Sequence, residues 1–128
     1  MRPKRRVLIV EDNADLRRLY AIGLNQRGYE VKLAANGAEA IDRIENDRPD
    51  VIILDLVMPI MDGWEVIDRI NQGPPAAKPE IPVLVVSGYT TPPERPVPPC
   101  VMGWLPKPAS LDEVVRKLSE IDALRSAS

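Results

Sequence analysis

The sequence predicts an α/β domain built on a doubly wound, five-stranded parallel sheet with helices on both faces. Three observations carry that reading. Val7–Val10, Val51–Leu54 and Val83–Val86 are unbroken apolar runs rich in β-branched residues, as expected of strands buried on both faces. Stretches with apolar residues at helical spacing separate them. Strands that alternate with helices in this way make a parallel sheet.

The first strand, at Val7, stops at Glu11-Asp12-Asn13. Leu16, Leu19, Tyr20, Gly23 and Leu24 then mark a helix that Gly28 closes, and Asp12 or Asn13 also suits its N-cap. Val31, Leu33 and Ala35 alternate with Lys32 and Ala34, which predicts a strand nearer an edge. Asn36-Gly37 opens a helix carrying Ala40, Ile41 and Ile44, and Pro49 ends that region. The strand at Val51 ends in Asp55; Met58-Pro59 and Asp62-Gly63 mark a loop, and Trp64, Ile67 and Ile70 a third helix. A proline-rich loop follows, then the strand from Val83, which ends in Ser87-Gly88.

The slot between that strand and the next breaks the alternation. Residues 88–100 hold five prolines, and each interior proline costs a helix about 3 kcal/mol. An irregular, mobile segment is expected there. A weaker fifth strand, from Val101 to Leu105, leads to Lys107-Pro108. In the last helix Ser110 and Glu113 have capping-box spacing, and Leu111, Val114, Val115, Leu118 and Ile121 form the apolar stripe. The ends, about 1–5 and 123–128, are expected to be flexible, and all 128 residues to form one domain.

Composition narrows function. Lys+Arg number 17 and Asp+Glu 19, a balance that argues against a dedicated nucleic-acid or membrane-surface binder. No apolar run approaches the roughly 20 residues of a membrane span, and the start does not resemble a signal peptide, so a cytoplasmic protein is expected. One cysteine, Cys100, rules out an internal disulfide and a cysteine-based zinc site. With no histidine, the chain has no imidazole base, no imidazole metal ligand and no phosphohistidine of its own.

In open α/β sheets the ligand site lies beyond the carboxyl ends of the strands. Those ends carry Glu11 and Asp12, Asp55, Ser87 and Lys107. Three carboxylates gathered at one rim repel one another unless a cation sits among them, and Mg²⁺ is the hard ion that oxygen ligands favour. A carboxylate nucleophile, a divalent metal, a lysine and a hydroxyl together suit a transferring phosphoryl group.

At these residues the chain resembles the receiver domain of two-component response regulators. The matching pieces are Val10-Glu11-Asp12-Asn13, Leu54-Asp55-Leu56-Val57-Met58-Pro59-Ile60-Met61-Asp62-Gly63, Val86-Ser87-Gly88 and Lys107-Pro108. The resemblance implies a flavodoxin-like sheet of strand order 2-1-3-4-5, with the family's fourth helix short or missing here. It implies that Asp55 is the phosphoacceptor and that Asp12 binds Mg²⁺ directly, Glu11 mostly through water, with the Val57 carbonyl completing the protein's share. Ser87 becomes the switch hydroxyl and Lys107 the partner of the phosphoryl group, with a cis Lys107-Pro108 peptide. Trp104, three residues before the lysine, matches the switch aromatic. The donor would be a phosphohistidine on a sensor histidine kinase or histidine phosphotransfer protein. A further protein target, a monomer or weak dimer, and no output domain of its own complete the expectation.

Such a protein is a switch rather than an enzyme, with only self-phosphorylation and self-dephosphorylation. Neither Val57 nor Tyr89 can orient water, so slow loss of the phosphoryl group is expected. Two rival classes share some features. A phosphorylation-independent adaptor would use the proline strip alone. An Asp-nucleophile phosphatase would share Asp55 and Lys107 but wants a second Asp where Val57 stands.

Overall fold

The computed structural model describes residues 4–71, 81–88 and 96–126. In chain order these form β1 (Arg6–Val10), α1 (Ala14–Gln26), β2 (Glu30–Ala34), α2 (Gly37–Asn46), β3 (Val51–Leu54), α3 (Gly63–Ile70), β4 (Val83–Ser87), β5 (Val101–Pro106) and α4 (Leu111–Ser126). All strands run parallel in the order β2-β1-β3-β4-β5. No described residue between Ser87 and Val101 is helical, as the prolines require; 89–95 lie outside the described residues.

Alternate residues of each central strand feed two cores. Val7, Ile9, Val51, Ile53, Leu84 and Val86 pack against Tyr20 and Leu24 of α1 and Val114, Leu118 and Ile121 of α4. Leu8, Val10, Ile52, Leu54, Val83 and Val85 pack against Ala40 of α2 and Val66 and Ile67 of α3. Burial on both faces explains why these strands are apolar throughout.

β2 departs from the expected alternation. Ala34 is its buried residue, Leu33 is 36% exposed, and Ala35 falls beyond the strand. The reason is position. β2 is an edge strand; the α1 face receives Val31, and the opposite face closes only over Ala34.

Side chains fix the helix starts. The oxygens of Asn13, Asn36 and Asp62 each accept the amide three residues on, all at 3.0 Å. Each such cap contributes about 1 kcal/mol. The capping box of α4 is closed: Glu113 N donates to Ser110 Oγ at 3.1 Å, and Ser110 N to Glu113 Oε1 at 3.3 Å. Gly28, at φ +91°, supplies the left-handed residue that ends α1.

Candidate functional site

The ladder brings the acidic residues together. Val10 stands opposite Leu54, so the residues that follow each strand emerge side by side at one rim. Glu11 and Asp55 are still held like strand residues: Glu11 N donates to Ala34 O at 3.1 Å, and Asp55 N to Val10 O at 3.0 Å. One carboxylate oxygen from each of Glu11, Asp12 and Asp55 lies within 4.8 Å of the others. Glu11 and Asp55 are buried while Asp12 is exposed, so the cluster opens to solvent on the Asp12 side.

Lys107 reaches into this cluster from the turn after β5. Its Nζ lies 2.5 Å from Glu11 Oε1 and 3.0 Å from Asp55 Oδ2. The Lys107-Pro108 peptide is cis. Burial pushes the Glu11 carboxyl up to about 7, although Lys107 and the Asn13 amide pull it down. Burial works against the Lys107 charge too, but its bonds to Glu11 and Asp55 outweigh that and hold it above the usual lysine value.

The other Asp55 oxygen, Oδ1, accepts from Val57 N at 3.1 Å, which fixes the carboxylate plane from the loop side. The acidic turn is clamped from α1, where the Arg17 guanidinium donates to Glu11 O at 2.7 Å. Arg17 carries no motif, and only its place one turn into the helix could have hinted at this contact.

Ser87 ends β4 and is fully buried. Leu54 stands opposite Val85, so Asp55 and Ser87 leave adjacent strands at the same rim. Among the described residues, Ser87 Oγ is the one buried side-chain polar atom with no hydrogen-bond partner. Buried hydroxyls nearly always have a partner, so among the described residues this one stands out at the rim with its hydrogen-bonding capacity unused.

Trp104 lies on the α3 side of β5, opposite Val85. Its ring is tilted against that of Trp64, with centroids 6.2 Å apart. Tyr89 lies outside the described residues.

The loop after Asp55 holds a feature that the sequence did not announce. Met61 N donates to Pro59 O at 2.8 Å, and Ile60 between them has φ +72°. That is a γ-turn with a β-branched residue in left-handed backbone, a strained arrangement. Ile60 is 82% exposed, so no packing compensates. Replacing it by asparagine, which tolerates this backbone, is expected to raise stability by about 1 kcal/mol. Urea unfolding measures this, and an unchanged midpoint would show that the strain is absorbed elsewhere.

The rim thus presents a buried carboxylate paired with a lysine, two further acids and an orphan hydroxyl, all on a parallel sheet of order 2-1-3-4-5. The family model of the response regulator receiver domain matches residues 7–119. The chain belongs to that family. The response regulator MprA of Mycobacterium sp. (strain KMS) is 34% identical to it over 120 residues, which cover 88% of this chain and 48% of that protein. The receiver therefore spans about half the length of the curated relatives it matches. Among solved structures, the chemotaxis response regulator CheY4 of Vibrio cholerae is similar at a TM-score of 0.80 and 29% identity, over 93% of this chain and 99% of that one. The response regulator TrrA of Thermotoga maritima, solved in complex with Mg(2+)-BeF, reaches 0.77 at 27% identity, over 91% and 97%. The receiver has the flavodoxin-like fold of these neighbours, with four described helices. No described helix is long and apolar enough to cross a membrane.

Proposed function

We propose that this receiver accepts a phosphoryl group on Asp55 from a phosphohistidine of a sensor histidine kinase or histidine phosphotransfer protein, and thereby changes which protein it binds. One observation carries the reading: the buried Asp55 carboxylate is oriented by Val57 N on one oxygen and Lys107 Nζ on the other, amid two more acids. An Asp55 oxygen attacks phosphorus, the P–N bond to imidazole breaks, and the departing nitrogen takes a proton.

The donor set fits a hard dication. Glu11, Asp12, Asp55 and the Val57 carbonyl offer only oxygen, and three clustered carboxylates exceed the charge of one lysine. Mg²⁺ held there would neutralise charge on the transferring oxygens, and the similar TrrA was solved with Mg(2+)-BeF. Lys107 is placed to meet a phosphoryl oxygen once Asp55 carries one. Ser87 then gains the acceptor that its hydroxyl lacks, and Trp104 is the aromatic that follows this change. We place the protein in the cytoplasm, acting as a switch with no substrate turnover beyond its own phosphorylation and dephosphorylation.

Acetyl phosphate with Mg²⁺ tests this by intact mass. Wild type is expected to gain one phosphoryl group and Asp55→Asn none. No gain in wild type would favour a phosphorylation-independent adaptor, and continuous phosphate-ester turnover would favour a phosphatase.

A further inference from the structure

Tyr20 is a core residue of α1 whose ring is almost fully buried, yet it carries a hydroxyl where leucine or phenylalanine would fill the same space. A buried hydroxyl needs a partner, and this one donates to Ala109 O at 2.8 Å, across 89 residues of chain. Ala109 stands two residues after Lys107, in the same turn. The turn has a second anchor where Lys107 N donates to Ser87 O at 2.8 Å. Bonds to the main chain at Lys107 itself and two residues on thus let the Lys107 side chain reach Glu11 and Asp55 from a fixed base. Arg17, three residues before Tyr20 on α1, holds the Glu11 carbonyl. One helix therefore grips the main chain behind both partners of the Glu11–Lys107 pair. Burial raises the Tyr20 phenol, while the nearby Lys107 charge pulls it the other way, so the two groups are within electrostatic reach.

We infer that the Tyr20 hydroxyl is a positioning group for Lys107: by pinning the Ala109 carbonyl it sets where the ammonium meets Glu11 and Asp55. The inference rests on the phosphoacceptor reading for its consequence, since a displaced ammonium is late to meet the incoming phosphoryl charge. Tyr20→Phe removes the hydroxyl and keeps the ring, so the variant folds on the same core.

Two measurements test it. Phosphorylation by acetyl phosphate with saturating Mg²⁺ is expected to slow about tenfold in Tyr20→Phe, since small misplacements of a reacting group carry costs of this order. In a Lys107→Ala background the same substitution is expected to add no further slowing, because the group it positions is gone. Equal slowing in both backgrounds, or none in the first, would overturn the inference. The second measurement is independent of phosphorylation: the Lys107 ammonium resonance, followed by ¹H–¹⁵N NMR without metal. Tyr20→Phe is expected to shift it and speed its exchange with water. An unchanged resonance sinks the positioning role even if phosphorylation proceeds. A wild type that takes up no phosphoryl group strikes the phosphoacceptor reading alone, and the resonance still decides for Tyr20.

Discussion

Lys107→Ala is expected to lower stability in metal-free buffer by about 3 kcal/mol, the low end of what breaking a buried ion pair costs. Glu11 and Asp55 have side chains only 4% and 5% exposed, and Lys107 Nζ bridges them at 2.5 and 3.0 Å. Removing the ammonium leaves two buried carboxylates facing each other, with Asp12 close by. The low end applies because Glu11, already pushed up to about 7, can take a proton rather than remain charged. Mg²⁺ should recover much of the loss by supplying a counter-charge among the three acids. At a hundredfold excess over its Kd, a ligand adds about 2.7 kcal/mol. Urea midpoints of wild type and variant, with and without Mg²⁺, measure both effects. A metal-free loss below about 1 kcal/mol would place this pair with ordinary exposed salt bridges and remove the premise that the acids depend on a counter-charge.

Burial explains which parts of this site were legible in the sequence. Glu11, Asp55 and Ser87 each follow an apolar run that stays buried from end to end, so the runs locate them before any contact is known. Lys107 follows a weaker, half-buried strand and was legible only from its flanking prolines and the acids on the other strand ends, and the Ser110–Glu113 box because capping is local. What stayed hidden depends on long-range contact. Tyr20 reads only as a core position until Ala109 is brought to it, and Arg17 only as a helix surface residue until its guanidinium folds back on Glu11. On β2 the alternation marked a strand near an edge but not its buried face, because an edge strand is covered unequally. The strain at Ile60 was invisible because a residue's φ is imposed by the loop around it, here one that must bring the chain from Asp55 into α3.

Gly63→Ala is expected to destabilise the receiver by about 2 kcal/mol and to slow the phosphorylation proposed for Asp55 as well. Gly63 opens α3, and its amide donates to Leu56 O at 3.1 Å, so helix and loop are already drawn together there. A Cβ at this position would lie 2.5 Å from Asp55 O and 2.7 Å from Leu56 Cα. Both obstacles are main chain, so no rotamer relieves them. Either α3 backs away from the end of β3, or the Asp55 backbone shifts and carries its carboxylate off Lys107. The better helix propensity of alanine, at most about 1 kcal/mol, does not offset this. Gly28→Ala is the control, because there a Cβ meets nothing within 4 Å and the cost is the left-handed backbone alone, about 1–2 kcal/mol. Two variants of comparable stability should therefore part in function: Gly28→Ala phosphorylates at the wild-type rate below its melting range, and Gly63→Ala does not. If both keep the wild-type rate, the approach at Gly63 has slack, and the position of Asp55 is set by the β1–β3 ladder and Lys107 without help from α3.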